Sequence, residues 1–117
     1  MKNEYESFIS KGKKRIDKAK EIPETDIEKH YCEYAKKKGC LALKLVVLRK
    51  RGFPDRTTLC TGARILFVEF KKKGEDLSPI QKLVRKVLVS FSFKYIVADE
   101  IGIAEKALDE FLKSSYE

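Results

Sequence analysis

The chain has 117 residues, enough for one compact domain and too few for two of ordinary size. At 43% hydrophobic and 38% charged it is not a disordered tail, and no apolar run reaches the roughly 18 residues that span a bilayer. A net charge of +8 favours polyanionic partners, either nucleic acid or an anionic membrane surface.

Residues 1–24 read as a basic arm or helix, with Tyr5, Phe8, Ile9, Ile16 and Ala19 at near-helical spacing among lysines. The arm lacks the apolar stretch of a secretion signal. Glu4, Glu6 and Asp17 dilute its charge and no Trp anchors it, so a membrane-bound helix is disfavoured. Residues 25–117 form the single domain. Thr25 to Glu28 has the T-x-x-E pattern of a capping box, and Ile27, Tyr31, Tyr34 and Ala35 continue a helix that Gly39 stops. Cys32, Cys40 and Cys60 show no C-x-x-C spacing and read as reduced thiols of a cytoplasmic protein, not as zinc ligands or a disulfide framework.

The Leu- and Val-rich run from 41 to 48 predicts a strand, and RGFPD turns the chain. Residues 57–60 and 64–71 predict two strands of a hairpin around Thr61 and Gly62. Ser78, Pro79, Ile80 and Gln81 form a second capping box with proline at the first helical position. Ile80, Leu83, Val84, Val87 and Leu88 then give that helix an apolar stripe. Residues 93–98 predict a strand, and Ala104, Ala107, Leu108, Phe111 and Leu112 a closing helix. The order is α-β-β-β-α-β-α. The step from 64–71 through a helix to 93–98 suits a parallel pair, which makes a mixed central β-sheet flanked by helices in an α/β fold.

Within the strand 64–71, Leu66, Val68 and Phe70 share one face and Ile65, Phe67, Glu69 and Lys71 the other. Both faces are apolar until Glu69 and Lys71 emerge together at the C-terminal end, where ligand crevices of such sheets form. A carboxylate there and a second from Asp55 in the nearby turn can hold a hard divalent cation, with the Phe70 backbone carbonyl as a further ligand. Lys71 can orient the attacking water or stabilise developing charge. The competing reading of the same residues is a solvated ion pair at a strand end.

Three elements in order, Gly52-Phe53-Pro54-Asp55-Arg56, Val68-Glu69-Phe70-Lys71 and Leu77-Ser78-Pro79-Ile80-Gln81, resemble the PD-(D/E)XK nuclease superfamily and, within it, small standalone members of the VRR-NUC family. The resemblance covers residues 25–112 and implies a restriction-endonuclease-like core. It also implies a Mg2+- or Mn2+-dependent phosphodiesterase acting on DNA, with no small-molecule cofactor and no membrane partner. Asp55 and Glu69 become metal ligands, Lys71 lies beside the nucleophilic water, and Gln81 and the helix acid Glu28 support the site. Both Gln81 and Glu28 also occupy the N3 position of a capping box, which is a structural role in itself. Where many family members have a glycine before the last strand, this chain has Ser90, Phe91, Ser92 and Phe93.

Arg51, Arg56, Lys72 and Lys73 bracket the expected site, and Lys82 and Arg85 lie on the second capped helix. These residues are expected to contact phosphate, which positions DNA without reading bases. No base-reading motif is evident. The expected activity is therefore structure-selective cleavage of branched DNA, such as a four-way junction, by a homodimer with two active sites. A non-catalytic branched-DNA-binding module and a restriction-type, sequence-dependent endonuclease are the alternatives.

Overall fold

The computed structural model describes residues 23–47 and 51–114. The basic arm up to residue 22, together with Arg49 and Lys50, lies outside the described residues. The elements run α1 (Glu24–Lys37), β1 (Leu41–Leu43), β2 (Arg56–Cys60), β3 (Arg64–Phe70), α2 (Pro79–Ser90), β4 (Lys94–Ala98) and α3 (Ile103–Lys113). This is the order that periodicity implies. Among the described residues no helix is long and apolar enough to cross a membrane.

The four strands lie side by side in chain order, β1–β2 and β2–β3 antiparallel and β3–β4 parallel. Helix α2 is the crossover that the parallel pair requires. Strand β3 is therefore central, and its two faces feed two separate cores. Leu66, Val68 and Phe70 pack with Ile27, Tyr31 and Ala35 of α1 and with Ala104 and Leu108 of α3. On the other face Phe67 packs with Leu77, Leu88 and Tyr95 under α2. Phe67 also meets Phe53 and Phe93 edge-on, at centroid distances of 5.6 and 5.2 Å. Each such ring pair adds about 0.5–1.5 kcal/mol beyond the area it buries.

Two elements differ from expectation. Strand β1 stops at Leu43, well short of residue 48, and leaves Leu45 and Val46 exposed. Among the described residues it is an edge strand paired with β2, which begins at Arg56 opposite this point. Buried Pro54, just upstream, has no N–H to extend the ladder. Helix α1 starts two residues earlier than its capping pattern suggests: Pro23 is the N-cap, no side chain caps it, and the Thr25–Glu28 box is not made. The second box forms as written, with Ser78 accepting from the Gln81 N–H and Gln81 accepting from the Ser78 N–H. Before β4, Ser92 adopts a left-handed φ of 70°, the conformation for which glycine is the usual residue.

Candidate active site

Glu69 is the last polar residue of β3 before its C-terminal end, and because both faces of the strand are covered it is only 2% exposed. Asp55 reaches the same point from the loop before β2. Its Oδ2 accepts the Phe70 N–H at 2.8 Å, one step beyond the last β2–β3 pair at Arg56 and Val68. A side chain thus closes the ladder where the backbone of β2 has left it, and holds one carboxylate against β3. Phe70 directs its N–H, and with it its carbonyl, to this edge of the strand.

The loop carrying Asp55 is seated by Gly52. That residue has φ +84°, and a Cβ there would stand 3.0 Å from the backbone carbon and oxygen of Ile80. The close approach sets the loop directly on the first turn of α2. From that turn Gln81 uses both ends of its amide. Oε1 accepts the Ser78 N–H at 2.9 Å, and Nε2 donates to Glu69 Oε2 at 3.0 Å. The capping and site roles are not alternatives, since one side chain makes both contacts.

Lys71 follows on the same face, 11% exposed, with Nζ 3.8 Å from Glu69 Oε2 and 3.7 Å from Glu75 Oε1. These are ion pairs too long to be hydrogen bonds. Burial, reinforced by the neighbouring Asp55 carboxylate, pushes the Glu69 carboxyl up to about 8, and Lys71 only partly opposes it. Glu69 Oε1 is buried and has no hydrogen-bond partner among the described residues.

Of the expected site residues, Asp55, Glu69, the Phe70 backbone, Lys71 and Gln81 converge. Glu28 does not join them directly: its Oε2 accepts from Arg56 Nε at 2.7 Å, and Arg56 Nη1 also donates to the Ala42 carbonyl. Arg56, expected on phosphate, is in this structure a half-buried tie between α1, β1 and β2. The acid that does sense the site from α1 is Glu24. Its carboxyl is raised first by burial and then by Asp55, with Lys71 pulling the other way. The T-x-x-E pattern in the sequence points to Glu28 and not to Glu24. A signal was available, since an acid in the first turn of a helix entering a proposed cation site is itself a candidate.

Around this centre Arg51 and Lys72 are exposed, Lys73 pairs with Glu100, and Lys82 pairs with Asp76. Arg85 lies one turn beyond Gln81 with its guanidinium 5.7 Å over the Tyr95 ring. Among the described residues no three His, Cys, Asp or Glu side chains close into a metal-binding group.

No family model matches the chain. Over 78 residues it is 37% identical to "Putative nuclease p44" of Acyrthosiphon pisum secondary endosymbiont phage 1, a match spanning 67% of this chain and 84% of that protein. A solved structure described as a VRR_NUC domain shares the fold at a TM-score of 0.70 and 21% identity, covering 75% of this chain and 96% of the other.

Proposed function

We propose a function from one premise: the chain belongs to the VRR-NUC family of nucleases. It is a nuclease, and its reaction is hydrolysis of DNA phosphodiester bonds as a Mg2+- or Mn2+-dependent endonuclease. Its preferred substrate is branched DNA such as the four-way junction. The observation that carries this reading is the pair of carboxylates at the end of β3, Asp55 and Glu69, with Lys71 beside Glu69 and one buried Glu69 oxygen without a hydrogen-bond partner among the described residues.

The residues fit a hard divalent cation. Two neighbouring acids stand together with Lys71 near Glu69, and a carboxylate oxygen without a partner among the described residues, in a dry setting, calls for a charged or protic partner. Asp55, Glu69 and the Phe70 carbonyl would hold the ion, an all-oxygen set of the kind magnesium and manganese accept. When bound, it neutralises phosphate charge and lowers the pKa of a coordinated water.

The protein's own groups do the rest. Asp55 is held in place by the Phe70 N–H, so one ligand needs no reorganisation. Gln81 pins Glu69 Oε2 and so directs the other oxygen. Lys71, drawn between Glu69 and Glu75, supplies the positive charge that orients an attacking water and stabilises negative charge as it develops. Exposed Arg51 and Lys72 offer phosphate contacts beside the cleft, joined by Lys73, Lys82 and Arg85 once DNA competes for them, while Arg56 acts through Glu28 to order the loop. Contacts of this kind read the backbone and its path, which favours structure over sequence as the basis of selection. Two symmetric cuts require two such sites, hence a homodimer.

The test is cleavage of labelled four-way junctions, flaps, single strands and duplexes in magnesium, manganese or EDTA, beside the Lys71→Ala protein, with mass measured by light scattering. Paired nicks in the junction that need metal and Lys71 are expected, from a protein of twice the chain mass. Junction binding with no cleavage of any substrate would overturn the catalytic reading and leave a DNA-binding module.

A further inference from the structure

Tyr95 stands on β4 opposite Phe67, and Val97 stands opposite Glu69. Tyr95 and Glu69 are thus diagonal neighbours on the same face of adjacent strands, the face that α2 covers. Tyr95 is 7% exposed, and its hydroxyl has no hydrogen-bond partner among the described residues. Burying an unpaired hydroxyl costs about 1–3 kcal/mol, so a phenylalanine would serve packing better at this position. The ring itself is held firmly, packed in the Phe67–Leu88 cluster on one side and under the Arg85 guanidinium on the other. The direction of the hydroxyl is therefore set by its neighbours. Glu69 Oε1 is likewise buried and has no hydrogen-bond partner among the described residues. The field of Glu69, more than that of any other charge, raises the Tyr95 phenol after burial has done so.

We propose that Tyr95 is a positioning residue for Glu69, its hydroxyl linked through one buried water to Glu69 Oε1. Neither atom has a direct hydrogen-bond partner among the described residues, and a water between two buried polar groups is the ordinary solution in a protein interior. Gln81 from α2 and Tyr95 from β4 then grip opposite oxygens of one carboxylate. The rotamer of Glu69 is set from both sides before any ligand arrives. This deepens the metal-site reading above and rests on it for its consequence, but the hydrogen bond itself exists without metal.

Tyr95→Phe removes the hydroxyl and keeps the ring. The experiment measures Mn2+ affinity of the full chain without DNA, from the EPR signal of free Mn2+, for wild type and Tyr95→Phe. It also measures the melting temperature of both, and solvent exchange of the Tyr95 hydroxyl proton by NMR in metal-free wild type. The expected result is a roughly tenfold weaker Mn2+ affinity in the variant, the size typical of losing a partner behind a ligand. A small fall in melting temperature should accompany it, because the buried water and Glu69 lose a partner, and the wild-type hydroxyl proton should exchange slowly with a cross-peak to bound water. Equal Mn2+ affinities overturn the proposal, and so does a hydroxyl proton in fast exchange. A wild type that binds no Mn2+ while keeping the protected, water-contacting hydroxyl supports the bridge and removes the metal reading instead.

Discussion

Gln81 donates its side-chain amide to Glu69 Oε2 at 3.0 Å, joining the first turn of α2 to the end of β3 across the site. Because its other end completes a capping box with Ser78, the helix terminus and the Glu69 carboxylate are braced by one side chain. Shifting the start of α2 would therefore move a partner of Glu69.

That double contact can be separated by substitution. Ser78→Ala removes the hydroxyl from the box but leaves Gln81 free to reach Glu69. A stability loss of about 1 kcal/mol in denaturant melts with near-normal cleavage is expected. Gln81→Ala removes both contacts, so it should lose similar stability and also drop cleavage by roughly 10–100-fold. Equal activities of the two variants would show that the Glu69 contact contributes nothing.

The buried state of Glu69 predicts a pH dependence for the metal-free protein. Its folded pKa, about 8, lies above the ordinary 4.5, so the fold favours the protonated form. The stability this contributes is fully present below about pH 4.5 and is lost as pH rises through about 8. Melting temperature in EDTA should therefore fall across that window. Glu69→Gln, neutral throughout, should flatten the slope and melt higher than wild type at the alkaline end. Parallel pH profiles for the two proteins would refute the assignment.

Gly52→Ala places a methyl group 3.0 Å from the Ile80 backbone in a φ +84° conformation. Neither neighbour is a flexible side-chain end, so the loop or α2 must move. A loss of at least about 1–2 kcal/mol is expected from the left-handed conformation alone. Cleavage measured well below the melting temperature should fall too, because the same loop carries Asp55.

Ser92→Gly tests the turn before β4. Serine at φ 70° bears the left-handed cost that glycine escapes, partly offset by glycine's greater freedom in the unfolded chain. A net gain of roughly 0.5–1 kcal/mol in chemical melts is expected, with no change in cleavage.

The order of elements, the two-sided burial of β3, the Ser78 box and the emergence of Asp55, Glu69 and Lys71 at one end were determined by the sequence alone. Each follows from a short-range rule: strand alternation, helical period, proline and glycine punctuation, or the offset of a cap. What the tertiary structure decided lies at longer range. It turned Glu28 onto Arg56, brought Glu24 within the field of Asp55 and let Gln81 keep its cap while reaching Glu69. It also set a tyrosine hydroxyl and a carboxylate oxygen, each without a direct partner among the described residues, on one buried face. The register between β3 and β4, and the seating of Gly52 on α2, set those distances. No local pattern records them, because which face of α1 meets which strand depends on how two separate cores close around β3. The Thr25–Glu28 motif shows the limit: its spacing is that of a capping box, yet the packed helix starts at Glu24 and uses Glu28 as an ion-pair partner.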